Sequence, residues 1–191
     1  MSVALKEFIC KYASFLPDEL EVIISRFKYK KFKKNEFVLT KGSICKDLVF
    51  VERGCLRLYY IQDNIEISVW FAMSHSSAIE IYSFISELPT NYYIQAIEDS
   101  EILYLPKNEL TTLYQEYPKL QEMMRKFWED VILNLLERFT ALERDSAEKR
   151  YLDLLEKPDY LQNIPQKYLA SFIGVTPTSL SRIKKQIMQQ S

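Results

Sequence analysis

The 191-residue chain is short of glycine and nearly lacks histidine, with three Gly and one His. Gly42, Gly54 and Gly174 stand alone, so G-x-G-x-x-G, G-x-x-x-x-G-K-[ST] and G-x-S-x-G are all missing. The common enzymes that cradle a phosphate or present a nucleophile on such backbone are thereby excluded. His75 by itself cannot build an H-E-x-x-H zinc site, a multi-histidine centre or a haem pocket with two imidazoles, so no metal and no cofactor are expected. Its neighbours Ser74, Ser76 and Ser77 supply the one nucleophile-and-base suggestion, and adjacent residues rarely face each other productively, so an enzyme is not expected. Cys10, Cys45 and Cys55 are odd in number and form no C-x-x-C pair, which suits a reducing cytosol and small buried side chains. No window reaches the ~18 uninterrupted apolar residues of a membrane span. The N-terminus, MSVALKEFICKYASFL, carries Lys6, Glu7 and Lys11 and has no signal-peptide pattern. A cytoplasmic protein with no membrane partner is expected.

What the chain has in quantity is core material: 48% apolar residues and 14% aromatic, which separates it from disordered sequences. From Val3 to Phe27, Leu5, Phe8, Ile9 and Tyr12, then Leu20, Ile23, Ile24 and Phe27, recur at helical spacing, with Pro17-Asp18-Glu19 as a helix start. From about Tyr29 to Pro106 the pattern shortens to runs rich in β-branched and aromatic residues: Phe37-Val38-Leu39, Leu48 to Val51, Leu56 to Tyr60, Ile65 to Phe71, Tyr92 to Ile97 and Ile102 to Leu105. These predict strands. Turn signals at Lys41-Gly42-Ser43, Glu52-Arg53-Gly54 and Gln62-Asp63-Asn64 predict local hairpins, and the spacing favours a sandwich or jelly roll. The stretch between Phe71 and Tyr92 is long for a hairpin connection and partly helical in pattern.

From Pro118 to Leu142 the period becomes helical again. Leu120, Met124, Phe127, Val131, Leu135 and Leu142 form one stripe; Met123, Trp128, Ile132 and Phe139 form a second. A helix apolar on two faces must bury both, one on its own domain and one against a twin helix; the first stripe is assigned to the dimer seam. A helix buried wholly within one chain is the alternative. Beyond it, Ala147 to Lys157 reads as a helix, followed by a start at Asn163-Ile164-Pro165, a second helix to Ile173, a turn at Gly174-Val175-Thr176 and a third helix from Pro177 to Met188.

Residues 164–188 carry the functional signal. Two short helices meet at a tight turn: Ala170 is small at the crossing, Gly174 suits a left-handed terminus, and Thr176-Pro177 supplies an N-cap and a first-turn proline. Leu169, Phe172, Ile173, Val175, Leu180, Ile183 and Ile187 would lock a helix-turn-helix, whose second helix enters the DNA major groove. Thr178, Ser179, Ser181, Arg182 and Lys185 would then face outward. Residues 163–191 contain no acid, whereas Lys167, Arg182, Lys184 and Lys185 give +4; as the whole chain is −1, the remainder carries −5. A basic helix pair on an acidic body is the electrostatic footprint of a phosphate-backbone binder. The rival reading is a ligand-binding signalling module whose helical tail docks a protein partner.

Ala170-Ser171, Gly174-Val175-Thr176-Pro177 and Ser179-Leu180-Ser181-Arg182-Ile183 closely resemble the helix-turn-helix of the Crp/Fnr superfamily of bacterial transcription regulators. Glu148-Lys149-Arg150-Tyr151-Leu152 resembles the helix that leads into that domain. The resemblance covers nearly the whole chain. It implies an α+β fold with an N-terminal double-stranded β-helix (jelly-roll) sensor domain over residues 1–117, a long dimerisation helix over 118–144 and a helix-turn-helix domain over 145–191. It implies a homodimer on a pseudo-palindromic operator in double-stranded DNA, with RNA polymerase a partner to consider and a small-molecule effector unknown. The arginine matching Arg182 contacts a guanine in the family, as its bidentate fork suits; Lys167, Lys184, Lys185 and Ser181 would meet phosphates. Thr178 stands where some members place an acidic base-reading residue. Three residues follow Met188, which leaves little room for the family's β-wing.

The family's nucleotide pocket uses a Gly-Glu pair before a short helix and then an Arg-Ser or Arg-Thr pair. Aligned without gaps through Tyr93-Ile94-Gln95-Ala96, these fall on Ile79-Glu80 and Thr90-Asn91. Without the guanidinium, a buried cyclic phosphate loses a bidentate contact, and Ile79 obstructs close backbone approach. Cyclic AMP is therefore not expected to bind in the usual way. Glu80, Thr90, Asn91, Tyr82 and Tyr92, near Phe84 and Tyr93, are the candidates for a pocket taking some other effector. The cysteines do not match the N-terminal group that iron-sulfur members use.

Overall fold

The computed structural model describes residues 2–190. Two helices open the chain, α1 (Val3–Tyr12) and α2 (Pro17–Ser25). The Ser2 hydroxyl accepts from the Leu5 N–H at 2.9 Å to cap the first, and the Glu19 carboxylate accepts from the Leu16 N–H at 2.9 Å at the start of the second. Eight strands and two helices follow: β1 (Lys28–Phe32), β2 (Phe37–Leu39), β3 (Asp47–Arg53), β4 (Cys55–Gln62), β5 (Ile65–Met73), β6 (Ser76–Ala78), α3 (Ile81–Ser86), β7 (Tyr93–Ala96), β8 (Ser100–Pro106) and α4 (Lys107–Glu116). The long helix α5 (Lys119–Arg144, 26 residues) leads to α6 (Ala147–Leu155), α7 (Pro158–Asn163), α8 (Gln166–Phe172) and α9 (Pro177–Gln190). No described helix is long and apolar enough to cross a membrane.

The strands build a jelly roll of two four-stranded sheets, ordered β1-β8-β3-β6 and β2-β7-β4-β5. The expectation of local hairpins holds for β4 and β5, which are neighbours across the Gln62-Asp63-Asn64 turn, and fails for β2 with β3 across Lys41-Gly42-Ser43 and for β3 with β4, each of these pairs being split between the two sheets. Glu52-Arg53-Gly54 instead carries the chain from one sheet to the other, and β3 pairs with β8 and β6. Gly54 has φ +100°, and a Cβ there would lie 2.8 Å from the Ser100 Cα, so only glycine permits this crossing. The stretch after Phe71 contains more than a loop: β5 continues to Met73, His75 turns at φ +67°, and β6 crosses into the opposite sheet before α3 begins. Strand β1 was hidden from pattern reading because its residues 28–31 are all exposed, three of them lysines. An edge strand needs no alternating apolar face.

The chain divides into two compact units, Met1–Leu58 with Phe71–Asp130, and Tyr59–Trp70 with Val131–Ser191. In the first unit α1, α2, α4 and the start of α5 share one apolar core with the outer face of the roll. Leu5, Ile9, Ile23, Phe50, Leu110 and Met124 enclose a space of only about 20 Å³. Phe8 is the aromatic hinge of this layer, 5.2 Å from Phe50 and 5.7 Å from Phe127 between ring centroids. In the second unit Tyr151, Leu154, Ile164, Leu169, Ala170, Ile173 and Leu180 form the core.

Candidate functional site

The helix pair α8 and α9 is set by its turn. Gly174 takes φ +73°, and the Val175 N–H donates to the Ala170 carbonyl at 2.9 Å, closing the wide ring that ends α8. The Thr176 hydroxyl then accepts from the Ser179 N–H at 3.1 Å, and Pro177 occupies the first position of α9. Ala170 and Leu180 are fully buried where the helices cross, with Leu169 and Ile173 beside them, while Phe172, Val175, Ile183 and Ile187 are half-buried.

On α9 the exposed side chains include Thr178, Ser181, Arg182 and Lys185, with Gln186, Met188 and Gln189 toward its end. Arg182, Lys185 and the exposed Lys167 of α8 form no ion pair among the described residues. Ser179 is half-buried and its hydroxyl lies 3.0 Å from that of Thr176, so it serves the cap rather than the outward face. Ser181 donates to the Pro177 carbonyl at 3.0 Å and accepts from the Gln166 side chain at 3.1 Å. Lys184 is half-buried with its Nζ 5.9 Å from the centre of the Tyr151 ring, directed at α6. The exposed surface of the pair thus carries Arg182, Lys185 and Lys167, the last over the Tyr168 ring at 4.6 Å, beside the Thr178 hydroxyl. Gln166, exposed beside Ser181, belongs to the same surface and had no charge or periodicity to mark it.

The stripe assigned to a dimer seam is corrected in its first half. Leu120, Met124 and Phe127 are 3%, 3% and 2% exposed, buried in the core of the first unit together with Met123. Withdrawing four such side chains would forfeit about 6 to 12 kcal/mol at roughly 1.5 to 3 kcal/mol each, as much as a whole domain's stability. No second chain can take them. Val131 is half-buried, and of the named set Leu135 and Leu142 remain exposed. The open face of α5 joins Ile132, 54% exposed, and Phe139, 64%, of the second stripe to Leu136, 57%, which neither stripe included.

In the roll, the candidate effector residues differ in exposure and in what they bond. Glu80 is buried, and its two carboxylate oxygens accept from the Tyr82 and Ser83 N–H groups at 3.1 and 3.0 Å, capping α3. Thr90 is buried with its hydroxyl accepting from the Tyr92 N–H at 3.0 Å and its backbone bonded to Gly42 and Ser43. Asn91 is exposed, Tyr92 half-buried, and Tyr82 is 65% exposed. Among the described residues no group of His, Cys, Asp and Glu is placed to hold a metal ion.

Comparison with known proteins places this architecture. Residues 29–117 match the family model described as cyclic nucleotide-binding domain. No curated protein matches the chain. Among solved structures, FixK2 from Bradyrhizobium japonicum is similar with a TM-score of 0.73 at 16% identity, over 86% of this chain and 85% of that one. The c-di-GMP responsive global regulator CLP from Xanthomonas campestris gives 0.72 at 14% identity, over 91% and 92%. A CooA mutant from Carboxydothermus hydrogenoformans gives 0.71 at 17% identity, over 93% and 86%. Residues 29–117 therefore form a cyclic nucleotide-binding domain, and the chain carries the fold of the Crp/Fnr regulators.

Proposed function

We propose that this protein is a transcription regulator that binds a pseudo-palindromic site in double-stranded DNA as a homodimer, with α9 as its reading helix. The observation that carries the reading is the acid-free surface of α8 and α9, where Arg182, Lys185 and Lys167 stand exposed beside Thr178 and form no ion pair among the described residues. Arg182 projects from the first half of α9, where side chains of a reading helix reach base edges, and its planar fork suits the two acceptors of guanine. Lys185 and Lys167 supply phosphate contacts that position without specifying. The open stripe of α5 pairs two chains and would set the reading helices about one DNA turn, ~34 to 36 Å, apart.

Selection of bound sequences from a random DNA pool, followed by gel-shift titration, tests this. Arg182→Ala should cost about 1 to 3 kcal/mol on the selected site and relax preference at one base position. Lys185→Ala should weaken every sequence alike and reduce the slope of log affinity against log salt by about 1. If both variants weaken selected and random DNA equally, Arg182 is not a base reader; if nothing is enriched from the pool, the regulator reading falls.

A further inference from the structure

The last carbonyls of α8 show how that helix is fastened within the second unit. Those of Leu169, Ala170 and Ser171 accept from the N–H groups of Ile173, Val175 and Gly174 at 3.0, 2.9 and 3.1 Å, so the turn itself satisfies them. The next two, of Phe172 and Ile173, accept instead from guanidinium groups, Arg138 of α5 at 2.7 Å and Arg150 of α6 at 2.8 Å. Cations suit the end of a helix, where the carbonyls and the dipole both present negative charge.

Arg138 reaches further. The same Nη2 donates to the Ser68 carbonyl of β5 at 3.3 Å, and the guanidinium carbon lies 3.6 Å from the centre of the Phe172 ring. One side chain thus bridges α5, α8 and β5. The half-buried Ser171 closes the same joint from α8, its hydroxyl accepting from the Ser68 N–H at 2.6 Å and donating to the Glu66 carbonyl at 3.1 Å. Ser68 is buried, so its bonds are made away from water, where each counts for more. Along α5 itself, every residue from Ile132 to Thr140 is exposed except Arg138, which is half-buried. Over that stretch the helix meets its own chain chiefly through this arginine.

We propose that Arg138 and Ser171 are positioning residues for DNA recognition. Together they hold α8, and through its buried crossing with Leu180 also α9, at one angle to α5, and so set how far apart the two reading helices of a dimer stand. The inference rests on the reading of α9 as the DNA-contacting helix, in which neither residue meets DNA. Arg182 chooses bases within a half-site; Arg138 and Ser171 choose the distance between half-sites. One added base pair moves the second half-site by about 3.4 Å and turns it by ~34°. Rigidly held helix pairs cannot follow that change, whereas loosened ones can, at a loss of preorganisation.

The test has two arms, both on the full chain. Without DNA, hydrogen exchange is followed by mass spectrometry. Ser171→Ala and Arg138→Gln should each speed exchange over residues 66–70 and 166–173 by about fivefold or more, the protection that one hydrogen bond supplies, and leave β8 unchanged. With DNA, the selected site is compared by gel shift with the same site carrying one base pair more or fewer between its halves. The unaltered protein should lose about tenfold or more at either changed spacing, the scale of at least one lost base contact. Both variants should bind the original site more weakly and all three spacings within about threefold of one another, with base preference inside each half-site kept. Arg138→Lys should recover part of the discrimination. Exchange indifferent to both substitutions, spacing discrimination that stays sharp in both variants, or tolerance of all three spacings by the unaltered protein each overturns the assignment. If the pool yields no sequence, the regulator reading falls and takes the spacing role with it, while the exchange arm still decides whether these two residues hold α8.

Discussion

The three cysteines show how burial sets chemistry residue by residue. Burial pushes the Cys45 thiol up to about 11 and that of Cys55 to about 12, whereas Cys10 is exposed. Thiolate is the reactive form, so Cys45 and Cys55 are protonated and shielded at neutral pH. Titration of the native protein with a disulfide reagent should release one equivalent of thiol promptly, from Cys10, and three after denaturation; prompt release of two or more would contradict the burial. Glu80 illustrates the same dependence on surroundings. Both its oxygens are spent on the first turn of α3, so this carboxylate has a structural occupation. Isothermal calorimetry with cyclic AMP is expected to show no saturable binding in the micromolar range, and saturable heat there would refute the prediction.

Helix α5 changes role along its length. Its N-terminal half is a core element and its C-terminal half offers Ile132 and Phe139 of the second stripe, together with Leu136, to solvent, with Leu135 and Leu142 at the margin. Large contiguous apolar surface on a single chain marks an interface. Phe139→Glu places a charge in the middle of that stripe and should shift the sedimentation-equilibrium mass from dimer to monomer at micromolar concentration while the thermal midpoint of the roll is retained. A dimer that survives this change is held elsewhere. Helices α8 and α9 are governed by local chemistry instead. Gly174, Thr176 and Pro177 specify their ends, which is why their boundaries were legible in the sequence to within a residue or two.

Three segments of backbone run from one compact unit into the other: β4 after Leu58, β5 before Phe71, and α5 after Asp130. The hairpin tip thus belongs with α8 and α9, although its strands begin in the roll. Its attachment is specific. The Ser171 hydroxyl of α8 accepts from the Ser68 N–H at 2.6 Å and donates to the Glu66 carbonyl at 3.1 Å. The expected division at residues 117 and 144 follows the order of elements along the chain. The observed one follows what packs on what, and no periodicity reports that residues 59–70 pack more than a hundred positions downstream.

What the sequence determined by itself is everything that depends on near neighbours. Helical and strand periods, the capping residues of α9, the left-handed Gly174 and the charge separation between +4 over residues 163–191 and −5 before them were all readable, because each is fixed by residues a few positions apart. Tertiary structure alone decided which sheet each strand joins, which stripe of α5 is spent on the core, and that Ser179 and Lys184 turn inward. Those outcomes depend on contacts between distant segments. The same apolar pattern satisfies either face of a helix until a partner surface arrives to bury one of them.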